Sequence, residues 1–118
     1  MDDVYDLYTR GMGLLEDGHF HAAVVPLSKS RDLEPDKTSI REALGRAYWH
    51  SGRYAQARDE FAAVVERNPV NDFAHFCLGR SCEKTGRIRE ARRHLALATS
   101  LRPDRADYRH YRARLEAA

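Results

Sequence analysis

The sequence writes one phrase twice. Leu44-Gly45-Arg46 opens a stretch that continues to Gly52-Arg53 and Ala57, and Leu78-Gly79-Arg80 opens another that continues to Gly86-Arg87 and Ala91. The two copies start 34 residues apart. A fixed period of this size constrains a chain more than its composition does, because each copy must be one supersecondary unit that buries its apolar face by stacking on the next. With Val4, Thr38 and Asp72 as unit starts, glycine recurs at position 8 (Gly11, Gly45, Gly79) and at position 15 (Gly18, Gly52, Gly86). Alanine recurs at position 20 (Ala23, Ala57, Ala91) and proline at position 32 (Pro35, Pro69, Pro103).

Each recurrence has a physical reading. A small residue at position 8 lets the second helix of a hairpin cross close to the first, with the alanine of position 20 as its counterpart. Glycine at position 15 supplies the positive φ that ends the first helix. Proline at position 32 ends the second, because the residue before it is driven out of the helical region. Large apolar residues complete the seam: Leu44 and Leu78 at position 7, Leu14, Tyr48 and Cys82 at 11, Phe20, Tyr54 and Ile88 at 17, Leu27, Phe61 and Leu95 at 24. Charged runs such as Arg58-Asp59-Glu60 and Arg92-Arg93-His94 read as solvated faces. No segment alternates with the period of two that marks a half-buried strand, so the fold class expected is all-α. Pro26 falls inside the second helix of the first unit and predicts a bend or a late start there.

This pattern resembles the tetratricopeptide repeat family, over residues 4–105 in three units (4–37, 38–71 and 72–105). Leu44, Gly45, Tyr48, Gly52, Tyr54, Ala57, Phe61 and Pro69 carry the likeness best. Arg10, and Arg41 and His75 at position 4 beside Leu7, depart from it. The segment after Pro103 repeats the first-helix spacing and reads as a capping helix over about 104–117. Tyr108, Tyr111 and Leu115 would pack inward there, and Arg105, Arg109 and Arg112 would face out. The resemblance implies a right-handed α-solenoid of about seven helices, the chain 1–118 forming a single domain. First helices would line a concave groove that binds a peptide segment or a partner protein.

On that analogy the groove positions hold Tyr5, Tyr8, Met12, Leu15 and Glu16 in the first unit, Ser39, Glu42, Arg46, Trp49 and His50 in the second, and Phe73, Phe76, Arg80, Glu83 and Lys84 in the third, of which Tyr5, Tyr8, Met12, Arg46, Trp49, Phe73, Phe76 and Arg80, with Arg114 of the capping helix, are the candidate binding residues. The capping helix adds Asp107, His110 and Arg114. The aromatic residues and Met12 are of the types enriched at interface centres, set against the alternative that they pack on neighbouring helices. Arg46, Arg80 and Arg114 recur at one position of successive units and suggest a ladder that holds carboxylates. The competing reading pairs Arg46 with Glu42 and Arg80 with Glu83 along their own helices. The clamp that relatives use for heat-shock chaperone tails does not carry over, since its positions hold Tyr8, Met12, Ala43, Phe73 and Cys77.

Composition narrows the rest. Residues 1–37 carry 4 Lys/Arg against 8 Asp/Glu, residues 38–71 carry 5 against 4, and residues 72–118 carry 11 against 6. An acidic front and a basic back speak to association and leave open a homodimer or larger self-assembly, with Asp2, Asp3 and Asp6 facing Arg105, Arg109 and Arg112. The acidic first unit argues against nucleic acid tracking the whole groove, although the last third is Arg-rich. The beginning MDDVYDLYTR lacks a basic, apolar leader, and no apolar run suggests a membrane span, so a cytoplasmic location is expected. Cys77 and Cys82 are too few for a zinc site or a disulfide framework and are expected reduced and buried. No nucleophile with a base, phosphate loop or metal motif is present, so neither catalysis nor a cofactor is expected. The excess of Arg over Lys, 17 to 3, is typical of a GC-rich bacterial genome. The function expected is an adaptor that holds an acidic and apolar segment of another protein.

Overall fold

The structure, a computed structural model, describes residues 3–117; Asp2 lies outside them. Its elements in chain order are α1 (Val4–Glu16), α2 (Phe20–Leu33), α3 (Thr38–His50), α4 (Tyr54–Arg67), α5 (Asp72–Lys84), α6 (Ile88–Leu101) and α7 (Ala106–Ala117). Each helix packs on the next, and the stack measures 50 × 24 × 23 Å. It is an all-α solenoid of three hairpins with a seventh helix laid on the last.

The punctuation of the sequence acts as its chemistry requires. Gly18, Gly52 and Gly86 have φ of +81°, +77° and +79°, and they close α1, α3 and α5 by one device. At α3, the amide of Gly52 donates to the Trp49 carbonyl (3.0 Å) and that of Arg53 to the Tyr48 carbonyl (2.8 Å), the paired bonds of a Schellman turn. The second helices end at Glu34, Asn68 and Arg102, each just before a proline and each expelled to φ near −135°. The α1 and α5 N-termini are capped by side chains: Asp3 accepts from the Asp6 amide, and Asn71 from that of Ala74.

Close crossing within each hairpin is built by position 8. A β-carbon on Gly45 would sit 2.8 Å from Phe61 Cζ, and one on Gly11 or Gly79 would meet Leu27 or Leu95 as closely. The position-24 side chains thus plug the gap that the glycines leave. Leu27, Phe61 and Leu95 are almost wholly buried, as are Ala23, Ala57 and Ala91 beside them. Each plug contributes roughly 2–3 kcal/mol by removal from water. Pro26 neither delays α2, which starts at Phe20 as its counterparts do, nor faces solvent; it is buried inside the helix.

Two residues read as solvated are buried instead. Glu60 is 4% exposed and His94 6%, and both occupy position 23. Each meets the residue at position 4 of its own unit, where the sequence departs from an apolar pattern. Arg41 donates to Glu60 (2.9 Å), and Arg31 approaches the same carboxylate from α2. In the third unit the Nδ1 atoms of His75 and His94 lie 3.0 Å apart. The Pro69 carbonyl can only accept, so His75 donates to it from Nε2 (2.7 Å); with both rings neutral, His94 Nδ1–H then donates to His75 Nδ1. The position-4 side chain also fastens each unit to the one before it. Arg41 donates to Pro35 O, His75 to Pro69 O and Arg109 to Pro103 O, while Leu7, at the same position of the first unit, is apolar and buried.

The same logic shapes the two end faces. Positions 3, 6 and 10 are filled by Ile40, Ala43 and Ala47, by Ala74, Cys77 and Ser81, and by Tyr108, Tyr111 and Leu115, all buried or half-buried. In α1 they are Asp6, Thr9 and Gly13, all exposed. At the other end, α7 carries Arg109, Arg112 and Glu116 where earlier units present seam residues, and Arg112 donates to Glu116 (2.9 Å).

Candidate functional site

Three first-position helices converge on one opening. Arg46, Trp49 and His50 of α3, Phe73, Phe76, Cys77 and Arg80 of α5, and Asp107 and Tyr111 of α7 line a cleft of about 420 Å³, with Phe61 at its floor. That volume lies within the range of ligand sites. The helices are held in register by the hairpins behind them, so the cleft is a product of the 34-residue period.

Its aromatic walls are fixed by mutual contact. Phe76 stacks on Tyr108 with ring centroids 4.7 Å apart and leans on Tyr111 at 5.7 Å. Trp49 meets Tyr54 edge-on at 4.9 Å. Tyr108 is anchored in turn, its hydroxyl donating to Asp72 (2.7 Å). His50 stacks on Phe20 at 4.5 Å, and burial together with the nearby Arg46 charge lowers its pKa, so the neutral ring is favoured at the rim. Burial, and then the charge of Glu42, push the Cys77 thiol far up, which keeps this wall residue protonated and unreactive.

The three arginines of the recurring position have different fates. Arg80 lies 3.8 Å above the Tyr111 ring, faces Trp49 at 5.4 Å and pairs with Glu83 (3.1 Å). Arg114 reaches the other oxygen of Glu83 (2.6 Å) and lies 5.1 Å over the same tyrosine. Glu83 and Tyr111 therefore tie both guanidinium groups into a latch between α5 and α7. Arg46 is half-buried and has no carboxylate or carbonyl acceptor among the described residues; the pairing with Glu42 along α3 does not form.

Of the candidate binding residues Tyr5, Tyr8, Met12, Arg46, Trp49, Phe73, Phe76, Arg80 and Arg114, the structure brings Arg46, Trp49, Phe73, Phe76 and Arg80 together in this cleft. Tyr5 and Tyr8 line a separate cleft of about 530 Å³ with Ile40, Glu34 and Lys37, and Tyr5 is 75% exposed. Met12 packs against the core, and Arg114 sits outside the lining in the α5–α7 latch. Cys77, Tyr111 and Phe61 belong to the lining but were assigned by the sequence to packing. Position 6 gives the missed signal, since from the second unit onward it holds Ala43, Cys77 and Tyr111 and grows larger toward the C-terminus.

Comparison with known proteins gives a consistent picture of the fold. The tetratricopeptide repeat signature matches residues 14–76, just over half of the chain. No curated protein matches it in sequence. Among solved structures, MamA from Desulfovibrio magneticus RS-1 superposes with a TM-score of 0.93 at 22% identity, over 98% of this chain and 65% of that one. The first such domain of Spaghetti (RPAP3), solved with the HSP90 peptide SRMEEVD, gives 0.89 at 17% identity, over 97% and 90%. The Yersinia enterocolitica type III secretion chaperone SycD, in complex with a peptide of the translocator YopD, gives 0.78 at 17% identity, over 96% and 86%.

Proposed function

This chain belongs to the tetratricopeptide repeat family, and from that premise we propose that it is a protein-interaction adaptor whose α3–α5–α7 cleft receives a segment of a partner protein. The observation that carries the reading is the cleft itself, with Trp49, Phe73 and Phe76 displayed on rigid helices beside a half-buried cation. Pre-fixed aromatic side chains give contact area at small entropic cost, which is how interface anchors work. Two of its structural neighbours are solved with peptides bound, which supports a peptide-sized occupant. The test is affinity capture from the native host with the wild-type protein and with Trp49→Asp, each first shown to be folded by circular dichroism. A partner held by the wild type and lost by the variant is the expected result. Equal capture by both would remove the cleft from the binding surface.

A further inference from the structure

We propose that the cleft reads one carboxylate, with Arg46 as receptor for an acidic group carried beside apolar residues on the bound peptide. The inference rests on the reading of the cleft as the binding face and names the chemistry of its occupant.

The charges around the cleft decide the matter. Glu83 is satisfied by Arg80 and Arg114, and Asp107 by Arg105 through two bonds of 3.0 and 2.8 Å. Arg46 remains, half-buried on the α3 wall with no acceptor among the described residues. A guanidinium partly withdrawn from water has five donors to place, and leaving them unmet is unfavourable. A carboxylate takes two of them in the fork geometry that suits a planar guanidinium. The neighbouring Trp49, Phe73 and Phe76 offer apolar surface to the residues on either side of it. One guanidinium without an acceptor, set among the apolar side chains of Trp49, Phe73 and Phe76, suits a single carboxylate between apolar residues and not a multiply charged phosphate backbone, so the site favours a peptide.

The experiment is selection from a displayed random-peptide library against the wild-type protein and against Arg46→Gln, followed by titration of selected peptides using the fluorescence of Trp49, the single tryptophan. One library arm has free peptide C-termini and the other fuses the peptide to its carrier. Enrichment of Asp or Glu flanked by apolar residues in the fused arm identifies a side-chain carboxylate. Enrichment that needs the free end and no side-chain acid identifies the chain terminus, and either supports the proposal. Removing that carboxylate, as Asn, Gln or a C-terminal amide, is expected to weaken binding at least tenfold. Arg46→Gln should cause the same loss, with no added effect when the two changes are combined. Arg46 makes no internal bond, so its variant should melt as the parent does. Apolar peptides selected without any acid dependence, or equal selection by Arg46→Gln, would overturn the carboxylate reading and leave the cleft as a binding site. Failure of both arms to yield a peptide that alters Trp49 fluorescence would overturn both readings.

Discussion

A hydrogen atom in place of a methyl group sets how closely α3 and α4 lie. A β-carbon on Gly45 would be 2.8 Å from a Phe61 ring that is 1% exposed and has nowhere to move. Gly45→Ala is therefore expected to cost about 1–3 kcal/mol by overpacking, and Gly45→Leu or Ala57→Phe to melt the central hairpin. Gly52→Ala meets no atom within 4 Å and bears only the strain of φ +77°, about 1 kcal/mol. Thermal melts of the variants check the order; a Gly45→Leu protein that melts with the parent would contradict the close crossing. His94 makes a second prediction at this scale. Burial, reinforced by the Arg93 charge and by the facing His75 ring, lowers its pKa from 6.5 to about 4, with Arg58 adding to the shift and Glu90 opposing it. The unfolded chain thus takes up a proton before the folded one as pH falls. The stability due to the neutral ring is complete above about pH 6.5 and is lost progressively toward pH 4, by up to about 3 kcal/mol. Urea unfolding at pH 7 and pH 5 measures the loss, and His94→Gln should flatten it.

At the scale of the helix, α7 is fastened by a few identifiable contacts. Tyr108 and Leu115 are its buried residues, the Tyr108 hydroxyl bonds Asp72, and Glu83 holds Arg80 and Arg114 around Tyr111. Tyr108→Phe removes a bond to a charged acceptor, worth about 1.5–3 kcal/mol, and Glu83→Gln loosens the latch. Both changes are expected to speed amide exchange in α7 while leaving α3 and α4 as in the parent; equal acceleration in α4 would mean that α7 is not a separately fastened element. The helices were legible in the sequence because glycine at position 15 and proline at position 32 act through their own backbone. The burial of Glu60 and His94 was not legible, because it depends on Arg41 and His75 arriving 19 residues earlier in the chain on a neighbouring helix. A charged residue reads as solvated until its partner is known. The arginine ladder failed to predict its own fate for a like reason. Identical spacing gives identical placement, but Glu83 has no counterpart beside Arg46.

For the whole molecule, the acidic first unit and the basic last third stand at opposite ends of a body 50 Å long. Association by these charges is expected to appear in light scattering at about 50 mM salt and to vanish at about 500 mM, as screening requires. A dimer that persists at high salt would assign the contact to apolar residues such as Tyr5. The period made the scaffold legible, but which concave residues share a cleft depends on how the solenoid curves. Tyr5 and Tyr8 therefore separate from Trp49 although they lie on the equivalent helix. The polar end faces have a further consequence in statistical terms. In a one-dimensional lattice of units, cooperativity passes from one to the next only through an interfacial energy, and at high salt, where charge attraction is screened, Asp6, Thr9 and Gly13 facing Arg109, Arg112 and Glu116 would provide almost none. Two copies joined end to end should therefore unfold as uncoupled blocks with the midpoint of one, and recasting those six positions as their interior counterparts is what would turn the block into an extensible lattice.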